Sequence, residues 1–444
     1  MVIYMNQPST SPAGWSEKQI GRQASSLFLY CFLAYTCSYL GRKNLSACIP
    51  AMIAEGIFDK SFAGYITTAY MLCYGFGQMI SGLAASRVKP KYLIGLGLFG
   101  AGICNFAMSM VDTSWLFPII WALNGAFHSM LWAPIIRVFT DLLPAGKRER
   151  AGVNIAASCS IGAVLAYLIP ALVLRLSGWR MVFVVSGCVL LGACLMWVIG
   201  HRLLRKYLAL MEEACRVERL THVAPAERET VSGNIPKKHS LPALLVISGL
   251  WLMLFALVCN GALRDAVETW APTFLSEQFG LDESLAALFS VLIPIVSLLG
   301  PYVADFMHKR WIHNEIYTSG VLFVLTLLCI VGIFLTRKTS AILCAVFMAT
   351  SVAAMFGANH MFLTVVPYHF APMGHSASVS GLLNSIIYLA TALFSSAYGL
   401  IAEGFGWGVL ILVWMGVGIA GILFSLISGR LWGKRYPLLD EGKL

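Results

Sequence analysis

The sequence predicts an all-α membrane protein whose twelve transmembrane helices form two pseudo-symmetric six-helix bundles, and three observations carry that prediction. Hydrophobic residues fill 58% of the 444 positions and charged residues only 12%, about half the charge of a water-soluble chain of this length. Apolar runs near the ~20 residues that a helix needs to cross a ~30 Å hydrocarbon core recur from Leu27 onward. A span in lipid must satisfy its own backbone hydrogen bonds, and the stretches Val182 to Ile199 and Ile316 to Leu335 lack the alternation that barrel strands would need.

The expected spans are 25–42, 62–85, 91–110, 116–140, 150–174 and 180–200 in the first half. Those of the second half are 241–263, 284–305, 316–336, 340–366, 376–400 and 407–432. Residues 1–24 are polar, with Pro8, Pro12 and Lys18, and so do not form a cleavable signal. They read as a cytoplasmic N-terminal segment, followed by an N-terminal bundle (25–200), a cytoplasmic linker (201–240), a C-terminal bundle (241–432) and a cytoplasmic tail (433–444). The linker, rich in Arg and Glu with Pro225 near its centre, is the longest hydrophilic stretch and separates the halves.

The net charge of +10 would point to nucleic acid in a soluble protein, but here the basic residues gather between spans. That pattern is the topogenic signal, and it excludes a nucleic-acid patch. With Lys18, Arg22, Arg87, Lys89, Lys147 and the basic linker on one side, the bias puts both termini in the cytoplasm of a cell that carries this chain in its inner membrane. Of twelve cysteines, all but Cys215 lie in apolar stretches, without metal or disulfide spacing, and read as packing residues. No phosphate-cradling loop, metal-spaced set or nucleophile with its base is present, so the reading is of a protein with no catalytic residues, no metal and no cofactor.

Two turns repeat. Gly82-Leu-Ala-Ala-Ser86-Arg87-Val-Lys89 follows the second span, and Gly300-Pro-Tyr-Val-Ala-Asp305-Phe-Met-His308-Lys309-Arg310 follows the eighth. Cations there complement a helix C-terminus and would let Arg87, Asp305 and Arg310 pin the half-bundles in one conformation; plain positive-inside charge accounts for them equally well. Six plus six helices, a basic central loop and this repeated turn resemble the major facilitator superfamily, with Ser86 where an aspartate is usual. The resemblance implies a transporter that works by alternating access, usually as a monomer.

An ionisable residue inside a span costs on the order of 2.5–3.5 kcal/mol unless it faces a wet cavity or a partner. Arg42 lies in Tyr35-Thr-Cys-Ser-Tyr39-Leu-Gly-Arg42-Lys43-Asn44, eight residues before Pro50. If the first helix continues to Pro50, Arg42 is interior, with Tyr35 and Tyr39 on its face; if it stops early, Arg42 snorkels at the interface. Arg264 stands in the matching place of the second half, in Asn260-Gly-Ala-Leu-Arg264-Asp265-Ala-Val-Glu268, again eight residues before a proline, Pro272. Two arginines at equivalent points of two repeats would converge near the bilayer midplane, where a planar guanidinium fork suits phosphate or carboxylate. The alternative is that Asp265 or Glu268 neutralises Arg264 structurally.

At these residues the resemblance narrows to the organophosphate:phosphate antiporter family of glycerol-phosphate, hexose-phosphate and glucose-6-phosphate transporters. Tyr39-Leu-Gly-Arg42-Lys43-Asn44 with Pro50 is similar to its first-helix motif, and Asn124-Gly-Ala-Phe127-His128-Ser-Met130-Leu-Trp132-Ala-Pro134 to its fourth-helix stretch. The resemblance implies exchange of a phosphorylated metabolite for inorganic phosphate, with Arg42 and Arg264 on the phosphoryl group. This sequence departs from the family in carrying Gln78 where lysine is common, His128 for glutamine, and no histidine in Ser158-Cys159-Ser160 of the fifth span. A site with one cation fewer brings a monoanionic or carboxylate substrate within reach.

Further candidates are Lys43 beside Arg42, Tyr74 one turn before Gln78, Asn124 and Trp132 one turn either side of His128, and Glu268 one turn after Arg264. Asn359 and His360 interrupt the tenth span, and Ser380, Asn384 and Tyr388 form a stripe at i, i+4 and i+8, as helix glue or as a wall of the site. Two rival functions remain open. One is a proton-coupled symporter of an organic anion, with Glu268, Asp265 or His128 carrying the proton. The other is a non-transporting sugar-phosphate sensor, since the family resemblance extends to such receptors.

Overall fold

The computed structural model describes residues 15–226, 250–370 and 376–440, and among these the chain is helical and forms no strand. Helix α1 (Glu17–Ala54) opens on a capping box in which Ser16 and Gln19 satisfy each other's backbone groups. It is followed by α2 (Lys60–Arg87), α3 (Pro90–Met110), the broken pair α4 (Leu116–Ser129) and α5 (Trp132–Leu142), and α6 (Ala145–Leu203). A surface helix α7 (Arg205–Ala226) precedes the second half. That half comprises α8 (Leu250–Phe279), the pieces α9 (Glu283–Ser290), α10 (Leu292–Ser297) and α11 (Leu299–Met307), then α12 (Glu315–Thr336) and α13 (Ala341–His360). The short α14 (Val366–Tyr368), α15 (Ser376–Gly404) and α16 (Gly406–Asp440) complete it.

Ten helical stretches among the described residues are long and apolar enough to cross a membrane. One of them, Gly146–Leu203, is two passes joined at Gly178, whose φ of 78° and ψ of 178° break the helix. The remaining pass is α2, 28 residues long, whose Thr67, Thr68, Tyr70, Tyr74 and Gln78 make it more polar than its neighbours. Twelve passes result. Large apolar side chains such as Leu172, Leu176, Leu328 and Leu393 project outward at more than half exposure, a surface that only lipid can cover without penalty.

Several expected boundaries are corrected. The first span does not stop at residue 42 but runs through Pro50 to Ala54, because the polar residues beyond Arg42 find partners inside the bundle. The seventh runs to Phe279 rather than 263, and the expected start, 241–249, lies outside the described residues. The fourth is interrupted at Met130–Leu131, just ahead of Pro134, which lacks the N–H that would bond one turn back. The expected linker is in part the helix α7, docked on the first half by Leu204, Tyr207 and Leu208, with the Tyr207 hydroxyl donating to the Leu142 carbonyl at 2.8 Å. The last helix likewise continues to Asp440, into the expected tail.

The halves meet most closely where α2 crosses α15. Thr68 Oγ1 donates to the Ala392 carbonyl at 2.7 Å and shares a 2.6 Å hydrogen bond with Ser396. A Cβ at Gly64 would stand 2.8 Å from the Ser395 carbonyl, and one at Gly399 2.5 Å from that of Lys60, so both positions need glycine. At the end of the bundle where α2 begins, Lys60 Nζ bridges Glu277 of α8 at 3.0 Å and Glu403 of α15 at 3.6 Å.

Candidate functional site

Because α1 continues past Pro50, Arg42 projects from mid-helix and not from an interfacial end. Its Nη1 donates to the Tyr74 hydroxyl at 3.2 Å, and its guanidinium lies 4.4 Å from the Tyr74 ring centre and 5.6 Å from that of Tyr39, a cation held by aromatic faces. No carboxylate pairs with Arg42 among the described residues. On the other half, Arg264 is 8% exposed. Its Nη2 pairs with Asp265 Oδ2 at 2.7 Å and its Nη1 donates to Asn359 Oδ1 at 3.0 Å. The Nε–H groups of both arginines are buried and find no partner among the described residues. Each guanidinium therefore keeps one donor that an incoming acceptor would satisfy.

An aromatic contact joins the two sides. Tyr74 on α2 and Tyr388 on α15 pack edge to face with ring centres 4.9 Å apart, and Tyr388 lies within electrostatic range of both Arg42 and Arg264. A cavity of about 20 Å³, lined by Arg42, Lys43, Ser46, Thr67, Tyr70 and Thr269 among others, sits beside Arg42. That is room for about one water molecule beside Arg42.

Sequence reasoning missed how the halves exchange charge. Lys43 Nζ crosses to Glu268 Oε2 at 2.9 Å and approaches Asp265 Oδ1 at 3.9 Å. Asp265 in turn accepts from Thr391 Oγ1 at 2.9 Å, and the Glu268 carbonyl accepts from the Tyr167 hydroxyl at 2.9 Å. Asp265 does engage Arg264, as the structural alternative proposed, whereas Glu268 serves the lysine of the opposite half. The signal available was Lys43 itself, a second buried cation adjoining the first.

The other candidates divide. Tyr35, 6% exposed, packs on Tyr39 and on Trp132, with ring centres 5.7 Å and 5.1 Å away. Gln78 and Asn384 are half-buried on α2 and α15, each one turn from the touching pair Tyr74 and Tyr388. Asn124 is instead locked inside the first half: its amide donates to the Gly41 carbonyl at 2.9 Å, within a network that includes Asn44, Asn105 and Ser186. His128 is clamped between two backbone carbonyls, Asn124 and Ser38, both at 2.9 Å, and ties α4 to α1.

His360 is half-buried at the end of α13, while its neighbour Asn359 reaches Arg264. The clasp residues stay within their own half: Asp305 pairs with Lys309 one turn on, and Arg310 is exposed in the π-helical turn His308–Ile312. The side chain of Arg87 lies outside what the structure describes.

Comparison with known proteins agrees with this architecture. The sequence profile of the Major Facilitator Superfamily matches residues 31–395. The chain is 22% identical to the membrane sensor protein UhpC of Escherichia coli strain K12, over 95% of this chain and 97% of that one. It is 25% identical to a probable hexose phosphate transport protein of Chlamydia trachomatis, over 88% of each. Among solved structures, the inward-open xylose transporter XylE from E. coli superposes with a TM-score of 0.69 at 12% identity, covering 95% of this chain and 99% of that one.

Proposed function

The chain belongs to the Major Facilitator Superfamily, a transporter and not an enzyme, and from that premise we propose that it exchanges a phosphorylated organic metabolite, a sugar phosphate or glycerol phosphate, for inorganic phosphate. The observation that carries the proposal is the pair Arg42 and Arg264, one from each half, each holding a buried Nε–H that has no partner among the described residues. Asp265 and Asn359 leave one edge of the Arg264 fork free, and Tyr74 leaves one edge of Arg42 free. An anion lying between them satisfies both and draws the halves together. The likeness to a probable hexose phosphate transport protein supports a phosphoryl group as that anion.

Substrate access follows from the same geometry. With both termini cytoplasmic, the end sealed by Lys60, Glu277 and Glu403 faces outward, and the opposite end is the route of entry in this conformation. An arriving phosphoryl group competes with Asp265 for Arg264. As Asp265 lets go, it draws on Lys43 and weakens the bridge from Lys43 to Glu268, loosening the halves at their centre. An empty carrier keeps that bridge and does not switch, which makes transport an obligatory exchange.

The test is uptake into proteoliposomes. Labelled hexose phosphate or glycerol phosphate should enter only vesicles loaded with phosphate. Uptake driven by an imposed pH gradient, without internal phosphate, would replace exchange with proton symport of an organic anion through Glu268. Saturable binding without turnover would make the chain a sensor, the reading that its likeness to UhpC supports.

A further inference from the structure

The charges around the two arginines fix how much negative charge the site can take. Five ionisable side chains with strong charge meet there among the described residues: Arg42, Lys43 and Arg264 on one side of the count, Asp265 and Glu268 on the other. Arg264 is matched by Asp265 at 2.7 Å and Lys43 by Glu268 at 2.9 Å. Arg42 alone faces only aromatic rings and a phenol hydroxyl. Gln78, one turn beyond Tyr74 on α2, is a neutral amide and adds no cation on that face.

Resting on the proposed function above, we infer that the site carries its substrate as a singly charged anion: the monoprotonated form of a phosphate ester, exchanged for monobasic phosphate. The physical reason is the cost of burying net charge. Lys43, Arg264, Asp265 and Glu268 are all buried where the halves meet, so any charge left over in the occluded state is taken out of water without compensation, at several kcal/mol per ion. One anion of charge −1 brings the site to neutrality. A dianion leaves one negative charge buried when the halves close, unless a further cation is supplied. Hydrogen bonding points the same way, because a protonated phosphoryl oxygen is itself a donor. It can serve Asp265 or Glu268, acceptors already at the site, where a fully ionised phosphate would repel them.

The phosphate group loses its second proton near pH ~6 in an ester, so at about pH 8 almost all of a phosphate ester is dianionic, whereas the sulfate ester of the same alcohol keeps one charge. The experiment compares these near-isosteric pairs, methyl sulfate with methyl phosphate and a hexose sulfate ester with the hexose phosphate ester, as competitors of labelled phosphate exchange by the full chain in proteoliposomes at that pH. In the wild type each sulfate ester should compete at least as well as its phosphate partner. Gln78→Lys should shift the ratio at least about tenfold toward the phosphate esters, a change of ~1.4 kcal/mol. Gln78→Arg, which adds a cation at the same place, should shift it in the same direction should the first variant fail to assemble. A wild type that prefers the phosphate esters by tenfold or more overturns this inference and leaves the exchange reading standing. Competition by neither class overturns the anion site itself.

Discussion

Lys43 of the first half and Glu268 of the second stand 2.9 Å apart, both nearly inaccessible to solvent, and form an ion pair across the surface on which the two halves must move. Such a pair contributes little net stability as a pair, since desolvation offsets attraction, but leaving one member alone is costly. Lys43→Met or Glu268→Gln alone should therefore lower the stability of the purified protein by about 3–5 kcal/mol, read as a drop in the midpoint of thermal unfolding in detergent. The double variant should recover most of that loss. Equal damage from the single and double variants would show that the pair is not the coupled unit described here.

The arginines make a different demand. A lysine at either position keeps the charge but not the planar fork, and it cannot hold Tyr74 or Asn359 while offering a second donor to substrate. Arg42→Lys and Arg264→Lys should each reduce exchange by about 100-fold or more, in line with the ~2–5 kcal/mol typical of truncating a buried hydrogen-bonded charge. Membrane insertion and chromatographic behaviour should stay normal. Wild-type exchange in either variant removes the two-arginine grip.

That pair was legible in the sequence because two separate signals coincided, an arginine within an apolar run and a proline eight residues later, once in each half. Length and polarity likewise revealed twelve passes. Helix ends were less legible: Pro50 lies inside α1, since a proline ends a helix only where its lost hydrogen bond and clash are not repaid, and the buried polar residues around it repay them. For Asn124 and His128, spacing shows which face a polar side chain takes but not whether a backbone carbonyl waits there. For the Lys43 bridge the sequence shows the cation but not its partner, and for the Lys60 clasp it shows neither. Both join residues more than two hundred positions apart, and Lys60 looks in sequence like any loop charge.

Gly178 offers a test of the fold alone. Its φ of 78° with ψ of 178° is a conformation that essentially only glycine adopts, and it lets one helical run turn back as two passes, with Trp179 buried against Phe183 and donating to Glu55 at 2.8 Å. Gly178→Ala should cost about 1–3 kcal/mol, visible as a lower unfolding midpoint with the relative affinities for different anions unchanged. An unaltered midpoint would mean that the turn tolerates a side chain.

The sealed end separates two kinds of closure. Lys60 is tied to Glu277 and Glu403 by partly exposed pairs, and such pairs contribute about 0.2–1 kcal/mol, so Lys60→Ala should raise the population open at that end only a few-fold. Close helix contact is less forgiving. At Gly399 an added Cβ meets the Lys60 carbonyl at 2.5 Å, and backbone cannot swing aside as a side chain would. Gly399→Val should therefore hold α2 and α15 apart and shift the protein strongly toward the state open at the Lys60 end. Labelling of a cysteine introduced at Phe62 by a membrane-impermeant thiol reagent, in a background lacking the native reactive thiols, reports that opening. Labelling should rise slightly in Lys60→Ala and severalfold more in Gly399→Val. The reverse order would mean that charge, and not the helix crossing, keeps this end shut.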